Sequence, residues 1–378
     1  MAALETLIGV RGRARGRLEI TLVSSKPEFV YRPLELGEPF GLGAARRYPL
    51  EELAADQDAA LRLAALARVE PEARLAVLDS GESLAYDVLV VAVGASAVPA
   101  YDHGIVFDRE LKAAVFDEAL GDLAAGLAGG VAFVVPPGAG WTLPAYELSL
   151  MTAAWRPASK APEMTVTLIT AERRPLEAFG GRVGEAVGEI LEEAGVELIT
   201  GTSAYVESDT LLRAADDGHW ITADRIVSLP TATGPRVRGL PHDRWGFIPV
   251  DRHGRVEGVD GVYAAGDGTI GAIKQGGLAA QQADAVVEQV AGLTRGDVVS
   301  PPPPRVLRGL LRTADGPRYL RAELDDPEGT STVSARPLWW PPSKIASSWL
   351  SPQLALLDAA HAPARPLPTG GIARSPAS

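Results

Sequence analysis

Two residues at the end of an apolar run have the types and spacing of a ligand-binding strand tip. Residues 262–267 read VYAAGD, so a buried strand would carry Gly266 and Asp267 to its carboxyl end, where open α/β sheets bind ligands. Glycine allows close approach of the backbone to a ligand, and the carboxylate of Asp267 can accept hydrogen bonds from ligand hydroxyls. The alternative is a plain strand–turn–helix unit with a capping aspartate.

The next helix is predicted to begin at two glycines. Gly276 and Gly277 open this helix, and their free N–H groups would stabilise negative charge on a bound group by roughly 0.3–1 kcal/mol. Lys274 precedes them and is the one weak candidate for tuning that charge, although a structural salt bridge explains it equally well. No residue stands out as a general acid or base, so the catalytic residues are unknown.

Composition removes several classes of function. The chain has 378 residues and no cysteine, which excludes disulfides, thiolate nucleophiles and Cys-ligated metals. Its net charge of −12 argues against nucleic acid as a partner. The histidines are scattered, so no metal site is expected. We see neither a signal peptide nor a transmembrane segment and expect a cytoplasmic protein.

The pattern of apolar runs predicts an α/β fold. Runs at 131–135, 166–169 and 196–199, with helical spacing at 183–194, are typical of half a doubly wound sheet. Further elements are helices at 2–10 and 277–291, strands at 18–23, 75–78 and 84–93, a hairpin at 318–335, and an amphipathic helix around 345–357.

Three segments carry a family resemblance. They are FVYRPL at 29–34 with EPF at 38–40, YDVLVVAVGA at 86–95, and the Gly266–Asp267 pair. With them, residues 1 to about 360 resemble the pyridine nucleotide-disulfide oxidoreductase superfamily. The resemblance is to its branch of sulfide:quinone reductase-like and type II NADH dehydrogenase-like flavoproteins.

The resemblance implies an organisation and a cofactor. It implies two Rossmann-like FAD- and NAD(P)-binding domains with a small C-terminal α+β appendage. The expected parts are an FAD domain from 1–100 and 228–300, a central domain from 101–227, an appendage from 305–360, and a disordered tail from 361–378. FAD is then the expected cofactor: Asp267 would contact its ribityl chain, Gly94 would pass close to the dinucleotide, and Arg32 and Pro33 would lie beside the flavin.

The sequence departs from the family at its first strand. The strand and its Gly-x-Gly-x-x-Gly loop are missing, because the chain starts inside the helix that should follow them. Losing that strand leaves on the order of ten backbone groups unpaired at about 1 kcal/mol each, which rivals a domain's stability of about 5–15 kcal/mol. We therefore expect the true start to lie upstream. Ser24, Ser25 and Lys26 replace the acid expected for the adenosine ribose, so the ribose would need contacts from hydroxyl or backbone groups.

The second glycine loop is also altered. Residues 136–144 read PPGAGWTLP, in which Gly138 and Gly140 match a dinucleotide loop and Leu143 takes the place of the third glycine. Glu172 could bind a ribose, but Arg173 follows it directly. NAD(P) binding at this loop is the weaker interpretation, and a structural remnant of a nicotinamide domain is the stronger one.

The absence of cysteine then narrows the chemistry. Sulfide oxidation as the family performs it and dithiol reduction both need cysteines, so FAD-dependent transfer of an electron pair between a small-molecule donor and an acceptor, with a quinone among the candidates, is predicted. The alternatives are an NAD(P)H dehydrogenase of the type II kind and a cofactor-free descendant that acts as a binding partner. Residues 337–342 and the following helix suggest quinone or peripheral membrane contact, with core packing or a homodimer interface as the plainer explanations.

Overall fold

The computed structural model describes residues 1–14, 18–156, 163–214, 218–325 and 330–361. Helices and strands are interleaved through most of these ranges. The α-helices in them are α1 (Ala2–Arg13), α2 (Leu50–Ala55), α3 (Arg109–Ala125), α4 (Leu143–Trp155), α5 (Gly181–Glu193), α6 (Gly276–Arg295) and α7 (Leu350–His361). Shorter 3₁₀ segments run over Arg32–Phe40 and Glu177–Phe179.

The strands are short and distributed along the whole described chain. The first twelve are β1 (Thr21–Ser24), β2 (Glu28–Tyr31), β3 (Arg46–Pro49), β4 (Ala60–Leu63), β5 (Leu66–Glu70), β6 (Leu75–Leu78), β7 (Ser83–Ala85), β8 (Leu89–Val91), β9 (Ser96–Val98), β10 (Ile105–Val106), β11 (Gly130–Val135) and β12 (Thr165–Thr170). The others are β13 (Glu197–Ile199), β14 (Ala204–Val206), β15 (Leu211–Ala214), β16 (Trp220–Thr222), β17 (Arg225–Ser228), β18 (Thr231–Thr233), β19 (Val262–Ala264), β20 (Val306–Thr313), β21 (Gly316–Glu323) and β22 (Ser331–Ser334).

A five-stranded parallel sheet forms the centre of the molecule. Its order is β10-β17-β11-β12-β13, and every residue of β11 is buried. Helix α4 packs against this sheet, with Tyr146 and Leu148 completely buried. Continuous apolar strands are what a parallel sheet covered on both faces requires. The predicted α/β class and the three predicted strands of this sheet, β11, β12 and β13, are confirmed, and the helix predicted at 183–194 is α5.

Two separate parallel pairs of strands, β1 with β4 and β8 with β19, lie in the other α/β unit. Helix α1 packs closely on α6. Gly9 of α1 lies so near Val287 of α6 that a Cβ atom at Gly9 would be only 2.6 Å from Val287 Cγ2. The helix predicted at 2–10 is confirmed and continues to Arg13.

The predicted strand at 84–93 is wrong as a continuous element. β7 pairs antiparallel with β6, whereas β8 pairs parallel with β19, so the chain must change partners between Ala85 and Leu89. Tyr86 marks this change, since its N–H donates to the carbonyl of Arg74 at 3.1 Å. Apolar character persists through the break, which is why the sequence pattern did not reveal it.

The C-terminal sheet has one more strand than predicted. The expected hairpin at 318–335 corresponds to β21 and β22, but β20 precedes them and pairs with β21 along eight residues. Leu307 and Leu311 of β20 are completely buried in the same cluster as Leu143 and Phe179. The predicted α+β composition of this C-terminal region is confirmed by β20 to β22 and α7. Its strands share the hydrophobic core of the central sheet. The exact domain limits proposed above stay predictions.

The last helix begins later than its apolar pattern suggested. Glu5 of α1 accepts hydrogen bonds from the N–H groups of Trp349 at 2.8 Å and Leu350 at 2.7 Å, which caps α7 at Leu350. Of the predicted tail, residues 362–378 lie outside the described residues. Among the described helices, none combines the length and the apolar composition that crossing a bilayer needs.

Candidate functional site

A cavity of about 2100 Å³ lies beside the two parallel strand pairs. Five of the predicted cofactor residues line it, from four separate parts of the chain. They are Arg32, Pro33, Gly94, Asp267 and Gly276. The other three, Gly266, Lys274 and Gly277, are next to these in sequence but are not part of the lining.

Asp267 reaches the cavity because Gly266 turns the chain at the end of β19. Gly266 has φ +88°, a left-handed conformation that favours glycine. Its N–H donates to Gln282 Oε1 at 2.7 Å, which fixes the turn against α6. Within the described part of the chain, the carboxylate of Asp267 makes no hydrogen bond. Burial raises the pKa of Asp267, while Lys274 and the N-terminal amine oppose this shift.

Lys274 has its own partners in the protein. Its Nζ donates to the carbonyl oxygen of Thr269 at 2.6 Å and lies 3.6 Å from the centre of the Phe247 ring. Burial lowers the pKa of Lys274, and the nearby Asp267 opposes this shift. This placement favours the structural interpretation of Lys274 over direct contact with a ligand.

The start of α6 is held tightly. Gln275 is its N-cap, and the side-chain oxygen accepts a hydrogen bond from Leu278 N–H at 2.9 Å. Gly276 borders the cavity beside Ile345, whose Cδ1 atom would lie 2.6 Å from a Cβ at Gly276. A side chain at Gly276 would therefore have to displace the side chain of Ile345. Gly277 is buried behind Gly276.

Gly94 and Arg32 approach the cavity on different elements. Gly94 follows β8 with φ +78°. Its carbonyl oxygen lies close to Gly268, because a Cβ atom added at Gly268 would be only 2.8 Å from that oxygen. Arg32 and Pro33 begin the 3₁₀ segment after β2. Tyr31 anchors that segment, because its hydroxyl oxygen accepts the N–H of Ile345 at 2.9 Å. Burial raises the pKa of Tyr31 to about 12.

Arg236 lines the cavity and was missed by the sequence interpretation. It has φ +45°, which is uncommon for a non-glycine residue and is found disproportionately at functional sites. Its guanidinium donates to the carbonyl of Arg244 at 2.7 Å. The preceding Gly234-Pro235 pair could have indicated a turn here.

Ser24, Ser25 and Lys26 also line the cavity, where the chain leaves β1. Ser24 Oγ donates to the carbonyl of Lys26 at 2.8 Å, so these residues form a compact turn. Hydroxyl or backbone contact to an adenosine ribose stays a prediction at this turn.

The residues predicted for a nicotinamide loop lie away from this cavity. The carbonyl of Gly140 accepts the N–H of Lys274 at 2.7 Å, and a Cβ on Gly140 would approach Lys274 Cγ to 2.6 Å. The loop is thus packed against the segment that precedes α6. Gly138, by contrast, has open space where its Cβ would be.

Glu172 makes its hydrogen bonds within the protein. Its carboxylate accepts from Tyr146 Oη at 2.7 Å, from Thr142 Oγ1 at 3.1 Å and from the N–H of Glu177 at 3.0 Å. Thr170 Oγ1 is a further donor at 3.2 Å. Burial raises the pKa of Glu172, and these hydrogen bonds oppose the shift. The carboxylate stabilises the start of α4 and the turn after β12.

A buried charged cluster joins α4 to the C-terminal segment and was not predicted from the sequence. Lys344 Nζ donates to both carboxylate oxygens of Glu147 and to the carbonyl of Leu310. Arg312 Nε lies 3.7 Å from Glu147. Burial raises the pKa of Glu147 and lowers that of Lys344, and each partner opposes the shift of the other. Glu147 and Lys344 are 197 positions apart, which no local pattern connects.

With this geometry in place, comparison with known proteins decides the family. The family described as pyridine nucleotide-disulphide oxidoreductase matches residues 1–283. The chain belongs to this family. The matched residues include the five-stranded parallel sheet, both parallel strand pairs and the Gly266–Asp267 turn.

Among curated proteins, this family member is similar to oxidoreductases with different partners. The ferredoxin reductase component of chlorobenzene dioxygenase from a Cupriavidus species is 27% identical over 299 residues, covering 72% of this chain and 68% of that one. An NADH dehydrogenase-like protein of Mycobacterium tuberculosis is 27% identical over 271 residues, covering 67% and 65%. The chain thus spans about two thirds of the length of these curated relatives.

Solved structures show the same fold. The sulfide:quinone oxidoreductase of Aquifex aeolicus matches with a TM-score of 0.77 and 19% identity, covering 88% of this chain and 85% of that one. A ferredoxin reductase of Rhodopseudomonas palustris matches with a TM-score of 0.63 and 17% identity, covering 85% and 80%.

Proposed function

We propose that this chain binds FAD in the cavity and passes an electron pair through it, from a small-molecule donor to an acceptor such as a quinone. The observation that carries the proposal is the meeting of Asp267 and Gly276 at one cavity. The carboxylate of Asp267 has no hydrogen bond to a described residue, so it is available to ligand hydroxyls. This pairing of a free acceptor with a glycine-opened helix fits the ribityl chain and ring of a flavin.

Each lining residue has a distinct part in holding the cofactor. FAD supplies reversible uptake of an electron pair when it is bound. Asp267 would accept ribityl hydroxyls, and the N–H groups at the start of α6 would favour negative charge on the ring edge beside them. Gly94 and Gly276 would keep the backbone close to the dinucleotide. Arg32 and Arg236 add positive charge to the lining and would attract its phosphates.

The proposed transfer does not run through thiols. The sequence contains no cysteine, so a dithiol relay cannot carry electrons between flavin and substrate. The substrate would instead have to reach the flavin face directly. The exposed side chain of Trp340, at 83% exposure, and that of Leu356, at 73%, are the apolar groups on the C-terminal segment that support a quinone or peripheral membrane contact.

The donor is the least constrained part of the proposal. Similarity to an NADH dehydrogenase-like protein favours NAD(P)H as the second candidate. The environment of Glu172 argues against NAD(P)H as the donor. The Glu172 carboxylate already accepts four hydrogen bonds inside the protein and is therefore not available to a nicotinamide ribose. A ribose at this loop would have to displace them. A donor other than a nicotinamide is therefore the first choice.

An absorbance titration tests the proposal. The purified chain is mixed with FAD, desalted and scanned, and bands near about 375 and about 450 nm are expected, which any bound flavin shows. Asp267→Asn should weaken FAD retention about tenfold or more, because the amide accepts ribityl hydrogen bonds more weakly than the carboxylate. Asp102→Asn, a change of the same type at an exposed site away from the lining, is the matched control.

The outcomes separate the candidates. Bleaching of the bound flavin by NADH would favour the NAD(P)H dehydrogenase. Bleaching by another donor, followed by reoxidation with a soluble quinone, would support the main proposal. A folded protein that retains no flavin under any condition would overturn it and favour a cofactor-free binding protein.

A further inference from the structure

The turn after β1 borders the cavity with hydroxyl groups and an ammonium group. Ser24, Ser25 and Lys26 all belong to the cavity lining, and Ser24 is the last residue of β1. In dinucleotide-binding α/β folds, an acid that follows the glycine loop accepts a hydrogen bond from a ribose hydroxyl, whereas a basic residue accommodates a phosphate on that ribose. These three residues include a lysine and no acid, so their types are those of the second kind of site.

The side chains of this turn differ in how far the protein itself uses them. Ser24 Oγ donates to the carbonyl of Lys26 at 2.8 Å and accepts the N–H of Lys26 at 3.2 Å. The hydroxyl of Ser25 and the ammonium of Lys26, both exposed, make no hydrogen bond or ion pair with a described residue. Ser24 therefore holds the turn in shape, and the other two polar groups remain available to a ligand.

Lys26 supplies a positive charge that no described carboxylate neutralises. The arginines of β3 and β4 that line the cavity each face a glutamate instead. Arg47 lies 3.4 Å from Glu28, and Arg62 lies 3.5 Å from Glu82. A phosphate monoester carries about −1.5 to −2 charges at neutral pH, so it is attracted to an unpaired ammonium more strongly than to either ion pair.

The turn lies at the same end of its strand as the other proposed cofactor contacts. Ser25 follows β1, just as Gly94 follows β8 and Asp267 follows β19. Ligands of open α/β sheets bind at these carboxyl ends. Glu19 also lines the cavity, but it precedes β1 and lies roughly 16 Å or more from the turn at a rise of about 3.3 Å per residue. It is therefore too far away to take the place of the missing acid.

A hydroxyl and an ammonium group are suitable ligands for a phosphate at this turn. The Ser25 hydroxyl can donate one hydrogen bond to a phosphate oxygen, and the Lys26 ammonium has three donors and a full charge. A carboxylate in place of Ser25 would repel the phosphate. The cavity has about 2100 Å³, whereas ligand pockets usually occupy roughly 300–1,000 Å³, so an additional phosphate group finds room.

We propose that the turn binds a phosphate group on the ribose of an adenine nucleotide, with Ser25 and Lys26 as its ligands. The ligand class is an adenine nucleotide phosphorylated at the 2′ or 3′ oxygen of the ribose as well as at the 5′ oxygen. Such a nucleotide competes with FAD, whose adenosine ribose carries hydroxyls at both positions. The inference rests on the proposed function for the placement of the adenosine at this end of the cavity, but nucleotide binding itself does not require FAD.

Calorimetric titration of the full chain with three nucleotides tests the inference. The probes are adenosine 2′,5′-bisphosphate and adenosine 3′,5′-bisphosphate, and adenosine 5′-monophosphate is the control without a ribose phosphate. We expect one of the bisphosphates to bind about tenfold or more tightly than the monophosphate, since charge-assisted hydrogen bonds contribute an affinity difference of this order. The preferred isomer identifies which ribose oxygen carries the phosphate.

Variants of the turn assign the effect to its two ligands. Lys26→Gln removes the charge and should lower the affinity for the preferred bisphosphate about tenfold, with the monophosphate affinity unchanged. Ser25→Asp introduces a carboxylate and should lower the bisphosphate affinity at least as much. Both positions are exposed, so neither change should affect folding. Arg252→Gln removes one positive charge at an exposed position away from the lining and is the matched control.

The remaining outcomes contradict the inference or the proposed function separately. Equal affinity for all three nucleotides, including no binding of any, overturns the inference, as does an affinity that Lys26→Gln leaves unchanged. An equal loss in Arg252→Gln indicates attraction to net charge alone and also overturns it.

FAD retention is measured in the same samples. Bisphosphate binding that depends on Lys26 but occurs in a chain that retains no FAD contradicts only the proposed function. Retained FAD that neither bisphosphate displaces contradicts only the inference.

Discussion

The central sheet has five parallel strands in hydrogen-bonded contact, whereas the strands beside the cavity form two separate parallel pairs. All six residues of β11 are buried, while Leu89 and Val90 of β8 are only half-buried. The polar groups differ in the same way. Glu147 and Glu172 have their hydrogen bonds supplied inside the protein, but Asp267 has none from a described residue.

The two regions therefore differ in what their polar groups contribute to stability and to binding. A buried polar group that is fully paired contributes to one packed structure and has nothing left for a ligand. A half-buried carboxylate without hydrogen bonds costs stability and remains available for binding. The central sheet therefore serves as scaffold, and the cavity region carries the proposed chemistry.

The largest expected effect comes from the buried charges of the scaffold. Glu147→Gln leaves the Lys344 ammonium buried without its counterion and should lower the free energy of unfolding by about 3–5 kcal/mol. Adding Lys344→Met should recover most of that loss, because the uncompensated charge is removed. Urea denaturation of both variants measures this, with Glu185→Gln at an exposed position of α5 as the control. A single variant within about 0.5 kcal/mol of the parent would contradict the scaffold role.

A matched pair of core truncations compares the two regions directly. Leu168 of β12 has 0% exposure, so Leu168→Ala should cost about 2–5 kcal/mol. Leu89 of β8 is half-buried, and Leu89→Ala should cost less than about half of that, since part of the side chain already contacts solvent. Equal losses in urea denaturation would show that the cavity strands are as tightly packed as the central sheet.

Local patterns accounted for the sheet and helices of the centre and for part of the site. The run at 131–135 was continuous and apolar, which is how a covered parallel strand looks in any sequence. The Gly266–Asp267 turn was visible because glycine and aspartate have specific backbone and acceptor properties.

What the sequence left hidden depends on long-range contacts. The pairing of Glu147 with Lys344 and the burial of Glu172 against Tyr146 arise only when distant segments meet. Glu172 follows an apolar strand, as a ribose-binding acid would, yet its four donors come from α4 and its start and from the residues around the turn after β12. Strand β20 was missed because its pairing with β21 and its burial on α4 are tertiary features.

Asp284 of α6 should make the stability of the cavity region depend on pH. Burial raises its pKa to about 6, the neighbouring Glu5 and Glu288 add to the shift, and the hydroxyl of Ser348 opposes it. A raised pKa means that this contribution is fully present below the unfolded-state pKa and is lost as pH rises through about 6. Each pKa unit corresponds to about 1.4 kcal/mol, so Asp284→Asn should be the more stable protein above pH 6 by at most about 3 kcal/mol.

Thermal unfolding at several pH values measures this difference. Asp284→Asn should unfold at nearly the same temperature as the parent near pH 4 and at a higher temperature near pH 8. Asp260→Asn, at an exposed turn, should show no such divergence. A parent and variant that stay parallel across the whole pH range would contradict the assignment to Asp284.

The smallest expected change in stability is at Asp267. Glu172→Gln removes an acceptor of four donors and should cost about 1–3 kcal/mol, whereas Asp267→Asn should stay within about 0.5 kcal/mol of the parent or be slightly more stable. The reason is that the Asp267 carboxylate makes no hydrogen bond to a described residue, so its replacement breaks none, and because burial raises its pKa, its ionised form at neutral pH adds nothing to folding. The two variants are compared by urea denaturation without ligand and then by FAD retention. If Asp267→Asn were the more destabilised of the two, the Asp267 carboxylate would contribute to folding in the same way as Glu172. It would then not be available to a ligand, and the flavin proposal would lose the residue on which it depends.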